Sequence, residues 1–293
     1  MTKTILILGG TGKFGRHATK AFTEAGWTVR PFDRATEDLT AKMREADAVL
    51  MGWNPVGYHL WADHLVPLHD RVARAAAATG ARVILPGNVY VYGPGQGMPW
   101  TTDTPHRAEN PLGRLRRAAE ATYARHGAKL TILRCGDFID TENGGNWFDS
   151  HIAATAPKGF IRYPGALDVP HAWAFLPDAA RAAVALAEAA DRLTDREDVP
   201  FPGYTLSGND LARAMSQALG RPIAVKPFQW LPLRLAQPVV PMLRGVFEMR
   251  YLWSLPHALD GGRLAELAPD FTATPLADAL RQALAWQERR HAA

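Results

Sequence analysis

Apolar residues fall along this chain in two alternating textures. Short continuous runs at Thr4–Leu8, Ala48–Gly52, Arg82–Leu85 and Leu130–Cys135 are bounded by glycine or polar residues. A strand buried on both faces reads this way, because neither side of it meets water. Between these runs, apolar residues recur three and four apart. Asp63–Thr79 shows it with Leu65, Leu68, Val72 and Ala76, and Gly80 is its stop. Lys13–Ala25 stops at Gly26, and Leu112–Arg125 stops before Gly127. Trp27–Asp33 adds a strand, Ala41–Ala46 a short helix and Asp178–Ala190 an alanine-rich one.

Strand and helix thus alternate at the pace of βαβ units. That predicts an α/β fold, a Rossmann-type doubly wound parallel sheet with helices on both faces. From about Val199 the texture changes: Pro200, Pro202, Pro222, Pro227, Pro232, Pro238 and Pro241 crowd together, and Leu276–Glu288 closes the chain as a helix. The expected organisation is a dinucleotide-binding domain over 1–190, with a substrate-side insertion at about 138–175, and a smaller C-terminal substrate lobe over 191–293.

The chemistry begins at Gly9-Gly10-Thr11-Gly12-Lys13-Phe14-Gly15, between the first strand and the first helix. Glycines here allow a tight turn, close approach of a phosphate to the backbone, and close helix–strand packing. The helix N-terminus then offers free N–H groups and a partial positive charge to a pyrophosphate. At the end of the second strand stands Asp33-Arg34. An Asp at this place accepts from the adenine-ribose hydroxyls and repels a 2′-phosphate, favouring NAD. The adjacent Arg pairs with that phosphate, favouring NADP. Both residues are present, and Asp33 tips the expectation toward NAD. Gly52 and Trp53, at the end of the third strand, fall where open parallel sheets bind ligands.

These segments and others in the same order resemble the short-chain dehydrogenase/reductase superfamily, most closely its extended and atypical members of the NAD-dependent epimerase/dehydratase group. The likeness is carried by Gly9–Gly15, by Val89-Tyr90-Val91-Tyr92-Gly93, by Leu133-Arg134-Cys135-Gly136, by Phe175–Ala182 and by Asp260–Leu280. The resemblance implies an NAD(P)-dependent oxidoreductase or epimerase acting on a small carbonyl, hydroxyl or sugar-nucleotide substrate, with subunits paired as a homodimer. It also implies a hydroxyl residue, a Tyr and a Lys at the reacting centre. Counting along the motif places Asn88 at the hydroxyl position, Leu112 at the Tyr and Arg116 at the Lys. Leu112 cannot move a proton, and Arg116 can hold ribose hydroxyls but is a poor relay.

Asn88, Tyr90 and Arg116 are therefore the catalytic candidates, with Arg116 also a cofactor ligand. Tyr90 lies two residues past Asn88, so on a strand both share a face. Tyr58, after Gly52-Trp53-Asn54-Pro55, lies on a loop that reaches the same sheet end. Trp53, Phe138, Trp147 and Trp173 could line the cleft, although core packing accounts for each. The missing Tyr also admits a second reading, a non-catalytic dinucleotide-binding redox sensor or regulatory protein.

Composition narrows the alternatives. The 293 residues are 47% hydrophobic and 21% charged, an ordinary globular balance. Cys135 is the only cysteine, so no disulfide forms within the chain, which fits a cytoplasmic setting. The chain enters its first strand at once, and no signal peptide is expected. No apolar stretch reaches the ~20 residues of a membrane span. The richest, Trp230–Val246, is broken by three prolines and carries Arg234 and Arg244, so no membrane partner is expected. Net charge is +4. Arg114, Arg116 and Arg117 share a helix with Glu120, which reads as a solvated face rather than a nucleic-acid patch. His59, His64 and His69 lack metal-ligand spacing and read as solvated, so no metal is expected.

Overall fold

The computed structural model describes residues 2–142 and 144–292. Six strands form its main sheet: β1 (Thr4–Leu8), β2 (Thr28–Pro31), β3 (Ala48–Met51), β4 (Arg82–Asn88), β5 (Leu130–Cys135) and β9 (Arg196–Pro200). All pair in parallel, in the order β2-β1-β3-β4-β5-β9. Successive side chains of a strand point to opposite faces, so each apolar run serves two cores. Ile5 and Ile7 pack under α1 (Lys13–Glu24) and α5 (Leu176–Glu188). Leu6 and Leu8 pack on the other face, with α2 (Leu39–Arg44), α3 (Trp61–Thr79) and α4 (Pro111–Arg125). Ala179, Ala180 and Ala183 of α5 are fully buried, and their small side chains let α5 lie close against α1.

The smaller lobe holds two further sheets. In one, β8 (His171–Phe175) pairs in parallel with β6 (Asp137–Ile139) and antiparallel with β10 (Tyr204–Leu206). In the other, β7 (Phe160–Tyr163) pairs in parallel with β11 (Ala224–Pro227). Helices α6 (Gly208–Leu219) and α10 (Leu276–Ala292) cover them around Phe148, Trp173 and Leu280. The remaining helices are α7 (Trp230–Ala236), α8 (Met242–Glu248) and α9 (Gly262–Leu267). The lobes are interleaved in sequence. β6 leaves the main sheet two residues after β5 ends, and β9 returns to it beyond residue 190.

A buried charge cluster fixes the far end of the main sheet. Arg134, fully buried on β5, donates to both carboxylate oxygens of Glu120 (2.8 and 3.0 Å), to the Asn88 carbonyl (2.8 Å) and to Asp198. One guanidinium thereby ties together β4, α4, β5 and β9. The two carboxylates hold it charged, well above its ordinary range despite its burial.

Candidate functional site

Strand order reverses between β1 and β3, so the chain leaves their carboxyl ends toward opposite faces of the sheet. A crevice opens there by topology alone. Gly9, at φ +88°, turns the chain out of β1 in a conformation other residues rarely adopt. A Cβ at Gly15 would run into the Gly9 carbonyl oxygen and lie 2.8 Å from Gly10 Cα, so only glycine lets α1 start this close to β1. Gly12 caps α1 without a side-chain hydrogen bond, and the first turn holds no acidic residue. The N–H groups of that turn meet no carboxylate, and such a cradle fits a pyrophosphate. Thr11 is exposed beside it, and Gly52 N–H binds the Leu8 carbonyl (2.8 Å) at the neighbouring strand end.

Several loop side chains have other work. Phe14 is buried in the core beside Phe138 (6.2 Å between rings), so it offers a ligand only its backbone. Lys13 donates to the Gly145 carbonyl (2.8 Å), and burial lowers its pKa. Arg16 and His17 both bind Asp140, which pins the chain after β6 onto α1. Asp33 is exposed, and its carboxylate accepts from Ala35 N–H (2.9 Å) and the Thr36 hydroxyl (2.8 Å), which holds it below the usual carboxylate range. Its oxygens thus cap a local turn. The Arg34 guanidinium lies 4.8 Å over the ring of Trp53, a buried indole that also packs on Phe32.

At the other end of the crevice the structure corrects the strand argument for Asn88 and Tyr90. β4 ends at Asn88, and Val89–Val91 is a single 3₁₀ turn. Asn88 Oδ1 accepts from Tyr90 N–H (3.1 Å) and caps that turn. Alternation of faces therefore has no bearing on Tyr90, yet the turn still delivers it to the site. Its hydroxyl is 2.6 Å from that of Tyr58. Burial raises the pKa of both, Tyr90 strongly, with the neighbouring Tyr58 adding to it. Trp61 packs on both rings.

Arg116 also departs from expectation. It is buried rather than solvated. It donates to Asn54 Oδ1 (2.6 Å) and lies 4.3 Å over the Trp61 ring, while its Nε has no partner. Burial lowers its pKa. The helical period explains the miss: on α4, residue 116 turns inward while Arg114 and Arg117 reach Glu109 outside. His69 is likewise fully buried, not solvated. It meets the Tyr123 hydroxyl at 3.3 Å, and burial drops its pKa to about 3. Leu112, at the family's Tyr position, is buried, and Glu248 from α8 accepts from its N–H (2.6 Å) and from Asn110 (2.7 Å).

Sequence reasoning missed a second group here. Asp137, the first residue of β6, accepts from His171 Nε2 (2.7 Å). His171 stacks on Trp253 (4.4 Å, 3°) and meets His257 edge-on (4.4 Å). Both histidines are buried, and burial drops the His257 pKa to about 3. Asp137 sits on the same hollow as Tyr58 and Tyr90, with Trp147, Met249, Leu252 and Trp253 as further walls. Only tertiary pairing of β6 with β8 joins Asp137 to His171, and no local spacing carries that signal. Of the aromatics weighed for the cleft, Trp147 lines it, whereas Trp173 lies in the lobe core.

The hollow is all but filled by its walls, with a volume of about 10 Å³. That is room for at most one water. A much larger groove, about 1020 Å³, lies between α4 and β9, away from the glycine loop. It is lined by paired charges, among them Arg117, Glu120, Glu197, Asp198 and Arg263. His106, Glu120 and Asp198 converge there, but Arg134 already holds the two carboxylates. The glycine cradle follows β1, Asn54 and Tyr58 follow β3, and Tyr90 follows β4, so all stand at the carboxyl end of the parallel sheet, where such sheets bind ligands.

No family model matches the chain, and no curated protein matches it in sequence. Solved structures match it over nearly its whole length. MoeE5, solved with UDP-glucose and NAD, is 17% identical, with a TM-score of 0.73 over 98% of this chain and 99% of that one. The UDP-glucose 4-epimerase of Brucella ovis, solved with NAD, is 16% identical, with a TM-score of 0.70 over 98% and 99%. The UDP-N-acetylglucosamine 4-epimerase of Bacillus cereus is 14% identical, with a TM-score of 0.71 over 98% and 99%. The chain thus shares the fold of these structures over nearly its whole length, a Rossmann-type sheet with a smaller C-terminal lobe, as the sequence resemblance implies.

Proposed function

We propose that the chain binds NAD or NADP at Gly9–Gly15 and is an oxidoreductase or epimerase/dehydratase-like enzyme for a small carbonyl, hydroxyl or sugar-nucleotide substrate. The observation that carries this reading is the uncapped, acid-free glycine cradle at the switch point of the sheet. Matched proteins solved with NAD share the fold and support it.

A bound dinucleotide supplies or accepts a hydride. The chain's own part is to bind and to handle a proton. The Gly9–Gly15 backbone and the start of α1 hold the pyrophosphate, with Arg34 and Trp53 flanking the adenosine and Gly52 at the neighbouring strand end. Asp33 favours NAD, through repulsion of a 2′-phosphate. Arg116, with a buried Nε that has no partner, donates to the ribose.

The Tyr58–Tyr90 pair takes the proton role that Leu112 cannot fill. Two hydroxyls joined by one hydrogen bond keep one proton for a further acceptor. Burial keeps both protonated at neutral pH, which suits a donor to a substrate oxygen. The Asn88 amide orients that oxygen, and Asp137, braced by His171, is an acceptor on the same hollow. Because the hollow is so small, the segment that carries Val246, Met249, Leu252 and Trp253 shifts when substrate enters. A cytoplasmic homodimer with a small-molecule ligand completes the proposal.

The test is cofactor-linked turnover on a panel of carbonyl compounds and nucleotide sugars, with Tyr90→Phe as control. Turnover abolished in the variant supports the reading, and no turnover on any compound counts against it. The nearly filled hollow and buried Leu112 favour one rival, a redox sensor without turnover. It requires unequal affinity for oxidised and reduced cofactor, because a ligand without preference shifts no equilibrium.

A further inference from the structure

The strap over the cleft, residues 231–244, has an outer face that no described residue covers. Of the seven large apolar side chains most exposed among the described residues, five lie between Leu231 and Met242, with Val239 at 81% and Leu235 at 73%. A sixth, Val56 at 86%, comes from the loop that rests on the same strap. There a Cβ at Gly57 would lie 3.6 Å from Met242 Sδ, and Tyr58 packs on Gly245. Single exposed apolar residues need no explanation, but a concentrated set marks a contact surface.

The charge around this face has one sign. From Lys226 to Phe247 the sequence contains no Asp or Glu, and its charges are Lys226, Arg234 and Arg244. Arg234 and Arg244 are exposed, and Arg250 follows with its guanidinium 4.6 Å over Trp230. A second copy docking here by two-fold symmetry would set arginines against arginines. An anionic lipid surface meets the same arginines with the opposite sign and the same apolar side chains with hydrocarbon.

We propose that Val56 and the 231–244 strap form a docking face for an anionic bilayer. Leu235, Val239 and Met242 enter the headgroup–acyl boundary, and Arg234 and Arg244 lie at phosphate level. The expectation of no membrane partner rests on the absence of a span. No helix among the described residues is long and apolar enough to cross a membrane. Lying on a bilayer asks for less: an apolar face with a basic rim. Pro238 and Pro241, between α7 and α8, break the strap into short pieces that suit a surface, not a crossing. The chain just beyond the strap, at Val246, Met249 and Leu252, walls the same hollow, so docking brings the cleft to lipid level.

Co-sedimentation of the full chain with vesicles tests this, using phosphatidylcholine alone and phosphatidylcholine mixed with phosphatidylglycerol. Binding to the mixed vesicles is expected, weakened by salt and at least tenfold weaker on phosphatidylcholine alone. Arg234→Ala with Arg244→Ala should lower the partition coefficient about 25-fold. Leu235→Ser with Val239→Ser should lower it about tenfold or more. Both pairs are exposed, so thermal midpoints should hold. Arg71→Ala with Arg74→Ala, on the outer face of α3, is the charge-matched control and should leave binding unchanged. No binding to the mixed vesicles overturns the proposal. So does an equal loss in the control. Self-association abolished by Val239→Glu, without vesicle binding, also overturns it and gives the face to a second copy.

Discussion

At the glycine-loop end of the crevice, recognition belongs to the backbone. Gly9 turns the chain, Gly15 lets α1 sit against β1, and the first turn of α1 presents N–H groups to a ligand. At the other end it belongs to side chains drawn from distant segments: Tyr58, Tyr90, Arg116, Asp137 and His171. A backbone site depends on local conformation and is written in consecutive residues. A side-chain site depends on how the sheet pairs and which helix faces turn inward. Its members come from separate segments, so Leu112 at the position the family gives to Tyr leaves Tyr58 and Tyr90 together.

The comparison breaks first, and with the largest effect, at the charge cluster that frames the side-chain end. Arg134→Ala strands Glu120 and Asp198 and should cost about 3–5 kcal/mol, read from denaturant midpoints. An effect under 1 kcal/mol would mean that the cluster does not organise the end of β4. The backbone end fails differently. Gly15→Val drives a side chain into the Gly9 carbonyl and should cost about 2–4 kcal/mol in the same assay. A neutral outcome would show that α1 does not pack on β1 as described.

The hydroxyl pair is a finer probe. Tyr58→Phe or Tyr90→Phe leaves one buried phenol without its partner and should cost about 1–3 kcal/mol. If the pair donates the proton, turnover should fall about 10²–10⁴-fold. Loss of stability without loss of turnover would return the tyrosines to packing alone.

What was legible in the sequence follows this division. Strand runs and helix stops gave the parallel sheet, because a strand buried on both faces has no polar alternation to hide it. The glycine loop was legible because its geometry is local. Arg116 and His69 were misread as solvated because both lie among charged neighbours in sequence, and only the helix phase sends them inward. Asp137 and His171 were invisible because 34 residues separate partners that β6 and β8 bring to 2.7 Å. Asp33 was read for its charge, whereas the turn at Ala35 and Thr36 engages its oxygens.

A pH slope probes the burial of His69. His69 has a folded pKa near 3 against 6.5 for the ordinary group, because burial disfavours its charge. Between these values the unfolded chain takes up a proton that the folded chain does not. The stability is therefore complete above about pH 6.5 and declines by about 1.4 kcal/mol per unit as pH falls toward 3. Denaturant midpoints across pH 7 to 4.5 should show this slope added to an equal one from His257, whose pKa burial also drops to about 3, and His69→Gln, which can keep a bond to Tyr123, should remove the His69 share of about 1.4 kcal/mol per unit. An unchanged slope in the variant would place the titration elsewhere.

The central claim is that the backbone of Gly9–Gly15 binds a dinucleotide. Gly12→Asp tests it most directly. Gly12 lies at φ −73°, a conformation open to any residue, and Asp is a good helix N-cap; a Cβ there lies 3.2 Å from the Gly9 carbonyl oxygen, which must give slightly, so the fold should hold with little change in stability. The new carboxylate would stand where the pyrophosphate binds. Calorimetric titration with NAD, NADH, NADP and NADPH should give micromolar binding of one redox pair to the native chain and at least a hundredfold loss in the variant. No binding of any of the four to the native chain, or equal binding to both proteins, would contradict the account.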